Sequence, residues 1–204
     1  MKLLILLLLI ATGAIASQYS YAAQDIETEI RDGGVLRVCV VSDYAGISLR
    51  DPRSGRLSGL DIEMSKRLAA KLGVTPRYIE IDWVGFIANL EQRRCHIAMM
   101  GIWVSAGREE KIDFSEPYLA SSAYVAVARA NRRLQTWADV NRPSTVVSVV
   151  NTPDLMQRAK NLLPSVTISP LPLATAMVRG STAAEVMGGR ADALIVDYSM
   201  AASL

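Results

Sequence analysis

At 204 residues the chain is long enough for one large or two small domains, and 22 Lys and Arg against 20 Asp and Glu leave a formal net charge of only +2. Near-neutrality, with isolated basic pairs at Arg93-Arg94 and Arg132-Arg133, excludes the clustered positive face of a nucleic-acid binder. One histidine and two cysteines give no zinc-like spacing, so neither a metal nor any other cofactor is expected.

The first segment reads as an export signal. Met1-Lys2 supplies a positive start, residues 3–10 are an apolar run too short to span a bilayer comfortably, and small residues follow at Ala14, Ala16, Ala22 and Ala23. Ser20-Tyr21-Ala22 fits the small-x-small rule, which puts cleavage after Ala22 and predicts a periplasmic product. Cleavage after Ala16 and an uncleaved anchor are the alternatives. The segment has no cysteine to carry a lipid. Export permits a disulfide. Cys39 lies inside a strand-like run and Cys95 just before another, a placement compatible with a bridge or with two buried thiols.

Residues 36–41 are rich in β-branched side chains and read as a strand. Leu60–Leu72 sets Leu60, Ile62, Met64, Leu68 and Leu72 around Lys66, Arg67 and Lys71, the pattern of a helix packed by one face. A strand over 78–81 and a helix over 84–90 follow, the latter with Phe86, Ile87 and Leu90 inward. Then comes a strand over 96–100, with His96 as a polar residue at its edge. This alternation predicts a mostly parallel sheet with helices on both faces, a fold whose ligands sit at the carboxyl ends of strands. Residues 121–129 (SAYVAVARA) form a long β run with no helix behind it. A second α/β unit begins with a short helix at Trp137–Val140 and a strand at Val146–Val150. Thr152 is expected to cap the next helix, with Pro153 at its first position. A further strand is expected over 191–196, and residues 171–189, which contain Gly180-Ser181-Thr182, fit one helix or two. The expected organisation is a signal at 1–22, a first lobe at 23–120, a hinge segment at 121–130 and a second lobe at 131–204. The chain stops at Leu204, inside the helix expected after the last strand, so the second lobe is expected to be incomplete at its C-terminus.

Four segments in order carry a resemblance: GGVLRVCVVSDYAGIS, SGRLSGLDIEMSKRLAAKLGV, IDWVGFIANLEQRRCHIAMMGIWVSAGREEKIDFSEPYL and GGRADALIVDY. Together, over about residues 33–200, they resemble the family-3 periplasmic solute-binding proteins, receptors of polar amino-acid ABC importers. The resemblance implies an α/β, two-lobed periplasmic-binding-protein-like fold of type II, each lobe a mostly parallel sheet flanked by helices. It implies a receptor that takes an amino-acid-like ligand and delivers it to a membrane-embedded ABC permease; oligomeric state is unmarked in the sequence, and a monomer is the default expectation.

It also assigns residues. Arg108, in an S-x-x-R segment after the 96–100 strand, falls where family members hold the ligand carboxylate, a task suited to a planar guanidinium. A surface pairing with Glu109, Glu110 or Asp113 is the bland alternative. Asp197 matches the position whose carboxylate takes the ligand ammonium from the second lobe, although a helix N-cap there is compatible too. Acid on one lobe and base on the other would recognise a zwitterion only when the lobes close. Tyr44 and Trp83 match aromatic walls of the side-chain pocket, with core packing the alternative for Trp83. Gly101 matches a position whose main-chain carbonyl accepts from the ligand amine, and Thr152 adds a hydroxyl and backbone N–H groups. Two positions depart from the family. Trp103 stands where serine or threonine is usual, and Pro153 has no N–H to give. They point to a carboxylate ligand with a modest, partly apolar side chain.

Rival functions use the same scaffold. Exported cyclohexadienyl dehydratases share it, and DPRSGRLSGLDIEM is compatible with them. They carry an acidic residue about one turn beyond the Asp197 position, where Met200 stands here, and no Ser/His/Asp arrangement or nucleophile elbow offers another enzyme. The sensing domain of a signalling receptor and a non-functional remnant are further readings.

Overall fold

The β-branched run after Gly34 becomes the centre of a parallel sheet. In a computed structural model, which describes residues 26–120, 122–176, 180–196 and 201, a helix α1 over 26–33 leads into β1 (Val35–Val40). Leu36, Val38, Cys39 and Val40 are at most 1% exposed, so both faces of this strand are covered, as befits a parallel sheet. A small antiparallel sheet follows, made of β2 (Asp43–Tyr44), β3 (Ser48–Arg50) and β4 (Leu57–Ser58). Helix α2 (Leu60–Leu72) then returns the chain to β5 (Thr75–Glu80), and α3 (Phe86–Glu91) leads to β6 (Ile97–Ala98) and α4 (Ala106–Glu109). Strand β1 pairs in parallel with β5 from Val35↔Thr75 to Val40↔Glu80 and with β6 at Val38↔Ile97, giving the order β5-β1-β6.

Helix α2 has the expected bounds but a different inward face. Its buried positions are Asp61, Ile62, Ser65 and Ala69, while Leu60 and Leu68 are both 37% exposed. Small residues at 65 and 69 let the helix lie close to the sheet. Ser65 donates to the Ile62 carbonyl at 2.7 Å and shares a 3.0 Å hydrogen bond with the Tyr78 hydroxyl. Gly73, at φ 75, closes the helix in the left-handed cap that glycine favours.

The strand expected over 96–100 is shorter, and two long-range ties explain how its edge is held. Cys39 and Cys95 form a disulfide with Cα atoms 5.6 Å apart, which decides between the two alternatives open in the sequence. His96 does more than occupy an edge: its Nδ1 accepts the Arg37 N–H at 3.1 Å, while its own N–H donates to the Arg37 carbonyl at 2.9 Å. The ring thus completes the ladder one residue before β6 begins. Because Arg37 donates to Nδ1, the imidazole hydrogen sits on Nε2, which lies 3.3 Å from Glu29 Oε1. Burial pushes the His96 imidazole down from its ordinary value, partly opposed by Glu29.

The chain divides into two compact units, Met1–Asp113 and Phe114–Leu204. The second holds β7 (Tyr124–Val127), α5 (Trp137–Val140), β8 (Val146–Val150), α6 (Pro153–Leu162), β9 (Thr167–Leu171), α7 (Leu173–Ala176), α8 (Ser181–Met187) and β10 (Ala193–Val196). Its sheet runs β7-β10-β8-β9, with β7 antiparallel to β10 and the remaining pairs parallel. Val147, Ala193 and Leu163 are its most deeply buried apolar residues. Residues 121–130, expected as a joining segment, include β7, a paired strand of this sheet, and the units divide earlier, between Asp113 and Phe114. Strand β9 was not expected. It carries Pro170, and it lies at the sheet edge, where a missing N–H is tolerated. The expected signal at 1–22 lies outside the described residues, and among those described no helix is long and apolar enough to cross a membrane.

Candidate functional site

All three parallel strands of the first unit deliver an expected site residue just past their carboxyl ends. Tyr44 follows β1, Trp83 follows β5 and Gly101 follows β6. The Tyr44 and Trp83 rings meet edge to face, with centroids 5.3 Å apart at 72°. Trp83 is presented by a tight turn in which Asp82 Oδ1 accepts the Val84 and Gly85 N–H groups at 3.0 and 2.7 Å. Its indole is half-buried against a small core of Val41, Phe86 and Met100, so it packs and remains accessible at once.

Gly101 needs to be glycine. Its φ is +63, and a Cβ there would lie 2.8 Å from Tyr44 Cε1 and 3.2 Å from Ile47 Cγ2. The Gly101 N–H donates to Asp61 Oδ2 at 2.8 Å. Asp61 is fully buried and was missed in the sequence. Its signal was position: it shares the face of Ser65 and Ala69 at helical spacing.

Arg108 lies on α4, half-buried, and its Nη1 donates to the Trp103 carbonyl at 2.9 Å. Its guanidinium carbon stands 5.7 Å from the centroid of the Phe86 ring, a cation–π placement. Trp103 thus contributes through its backbone as well as through a half-buried indole. Tyr44, Trp83, Gly101, Trp103 and Arg108 are in this way linked through Phe86, Met100 and their neighbours at one end of one sheet.

Just beyond, the carboxylate of Glu80 is held by Arg50, whose Nε donates to Oε2 at 3.1 Å and whose Nη2 bonds Oε1. The pairing keeps the Glu80 carboxyl below its ordinary value and ties the small sheet to β5. An open cavity of about 410 Å³ lies there, lined by Glu80, Ile81, Asp82, Gly85, Asn89 and Arg94. None of the expected site residues lines it, and Glu80 and Asp82 already accept the bonds described.

In the second unit Thr152 follows the carboxyl end of β8 and caps α6. Its hydroxyl accepts the Leu155 N–H at 3.4 Å, with Pro153 at the first helical position, where no N–H is needed. Asp197 and Met200 lie outside the described residues. Among the described residues no group of three or more His, Cys, Asp or Glu is placed to hold a metal.

Residues 36–193 match the family described as bacterial extracellular solute-binding proteins, family 3. The chain is 31% identical over 140 residues to the cyclohexadienyl dehydratase of Pseudomonas aeruginosa, covering 68% of this chain and 52% of that protein. It is 28% identical over 120 residues to the L-cystine-binding protein TcyJ of Escherichia coli, covering 59% and 45%. Its structure is similar to that of the ancestral amino acid-binding protein AncCDT-1, a precursor of cyclohexadienyl dehydratase, with a TM-score of 0.69, 32% identity and coverage of 84% and 73%. The chain spans about half the length of the curated relatives it matches. With this match over most of its length and the α/β fold of type II periplasmic binding proteins, the chain belongs to the bacterial extracellular solute-binding proteins, family 3.

Proposed function

We propose that this protein captures an amino acid or a similar small carboxylate outside the cytoplasm and hands it to the membrane-embedded permease of an ABC importer, acting as a periplasmic monomer. The observation that carries the reading is the setting of Arg108. Its guanidinium is anchored by the Trp103 carbonyl over Phe86, at the strand ends where the Tyr44–Trp83 ring pair and Gly101 gather. Arg108 takes the ligand carboxylate, the Gly101 carbonyl takes its amine, and Tyr44, Trp83 and Trp103 bound a pocket for a modest, partly apolar side chain. The second unit adds Thr152 and Asp197 as the lobes close on the ligand. No catalytic residue is assigned.

A thermal-shift and calorimetric screen of the secreted protein against the twenty protein L-amino acids and L-cystine tests this, since a ligand that binds the folded state raises the melting temperature by mass action. A hit is expected, and Arg108→Ala is expected to weaken it by at least about 30-fold, the loss typical of removing one side of a charged, hydrogen-bonded pair. Strong, selective binding of lysine or arginine would refute the side-chain assignment, and an unchanged affinity in the variant would refute the role of Arg108. A second reading, a cyclohexadienyl dehydratase-like enzyme, is favoured by the 31% identity to such an enzyme. Turnover of arogenate or prephenate by the purified protein would put it first.

A further inference from the structure

Asp61 enters the fold through a close contact. Gly59, two residues before it, has φ 122, and a Cβ there would lie 2.3 Å from the Ile47 carbonyl oxygen. The start of α2 is therefore pressed against the turn that carries Tyr44. The first amides of a helix have no partner within it, and here they go to that turn: Leu60 N–H donates to the Gly46 carbonyl at 2.9 Å and Asp61 N–H to the Ile47 carbonyl at 3.0 Å. The Asp61 side chain reaches the other way, to the Gly101 N–H at 2.8 Å. One residue thus binds the loop after β1 with its main chain and the loop after β6 with its carboxylate. The loop after β6 continues to Trp103 and Arg108, while Gly101 itself lies under the Tyr44 ring.

A carboxylate with no exposed surface is costly to bury, and packing alone would be met more cheaply by an apolar residue of the same size. Two features suit an acidic side chain at this point. The positive end of the α2 dipole stabilises an anion in the first turn, and a charge-assisted N–H···O bond is shorter and stronger than a neutral one. Such a bond fixes the backbone at Gly101, hence the direction of the carbonyl that follows.

We propose that Asp61 is a positioning residue of the ligand site, which holds the Tyr44 turn and the Gly101–Arg108 loop in one register without touching the ligand. The ligand half of this rests on the proposed function; the structural half does not. The full chain is compared with Asp61→Leu, which keeps bulk and removes the acceptor, and Asp61→Asn, which keeps a neutral acceptor. Amide hydrogen exchange at Gly101 is read against the amides of α2, and calorimetry is run with the twenty L-amino acids and L-cystine as probes. In Asp61→Leu, exchange at Gly101 is expected to rise and affinity for the bound probe to fall, each by at least about tenfold. In Asp61→Asn both are expected to change by about two- to threefold. Unchanged exchange at Gly101 in Asp61→Leu overturns the proposal, as does faster exchange with unchanged affinity. If the wild type binds no probe, the receptor reading fails, and exchange alone decides whether Asp61 sets the loop. If Asp61→Leu does not fold, wild type against Asp61→Asn decides: equal exchange at Gly101 overturns the proposal, and an increase confined to Gly101 supports it.

Discussion

The two units hold their sheets by different means. In the first, the sheet has three strands, with β1 paired to β5 over six residues but to β6 over only two, so the β6 edge has a short ladder. Ties between distant residues supply the rest. The disulfide spans 56 positions, the His96–Arg37 bond 59, Asp61–Gly101 40 and Arg50–Glu80 30. In the second, four strands pair, β8 and β9 over five residues, around Val147, Leu163 and Ala193. Asp192 adds a distant tie by accepting the Val146 N–H at 2.9 Å. Two of its helix starts, however, are secured within three residues. Thr136 and Asp139 cap α5 reciprocally, and Thr152 caps α6. Both units use remote side-chain ties, Asp192 reaching Val146 and Arg133 in the second, but among the described residues only the second adds local side-chain caps, at the starts of its helices α5 and α6.

The sharpest way to break this contrast is to cut the disulfide. For a loop of 56 residues, the chain-entropy account assigns the bridge about 4 kcal/mol. Replacing Cys39 and Cys95 with Ser is expected to lower the unfolding free energy of the first unit by that order, from urea titrations read through Trp83 and Trp103 fluorescence in a Trp137→Phe background. A loss under about 1 kcal/mol would mean that the short sheet stands without its staple.

The same contrast decides what was legible in the sequence. The bounds of α2 and α5 and the capped start of α6 were readable, because periodicity, Thr-x-x-Asp and Thr-Pro act within a turn of the residues that show them. Asp61 was not, since its meaning lies in a backbone amide 40 positions away. The cysteine pair was left open because pairing depends on a Cα separation that spacing does not give. Residues 124–127 were read as part of a long β run joining two lobes, but their place in the second sheet was not legible, because the partner that fixes it, β10, comes some 70 positions later. Pro170 hid β9 for the opposite reason, as a strong local signal overridden by an edge position.

A smaller effect is expected from His96. Its folded-state imidazole lies below the ordinary 6.5, so as pH falls the unfolded chain takes up the proton first. Stability contributed by the neutral ring is therefore present above about pH 6.5 and lost as pH falls below it, with a slope under about 1.4 kcal/mol per pH unit for a single proton. Glu29, Arg37 and Arg77 surround the ring, and Glu29, itself held below its ordinary value by Arg37 and His96, adds loss in the same direction only near and below its ordinary 4.5. Urea midpoints at pH 7.5 and 5.5 separate the two groups. The drop is expected in the wild type and reduced in His96→Asn; an equal drop in both would remove His96 from the account.

The smallest effect belongs to the second unit. Thr152→Ala removes the cap of α6, and the 3.4 Å bond to Leu155 is long, so the expected cost is at the low end of the range for caps, about 0.5 kcal/mol. Thr152→Ser keeps the hydroxyl and is expected to keep the stability. The pair also separates two roles at one residue. If Thr152 only caps the helix, Thr152→Ala shifts the melting temperature slightly and leaves ligand affinity alone. If its hydroxyl reaches the ligand carboxylate, as proposed, affinity falls by about tenfold or more while stability changes little, because a hydrogen bond to a charged group outweighs a long neutral one.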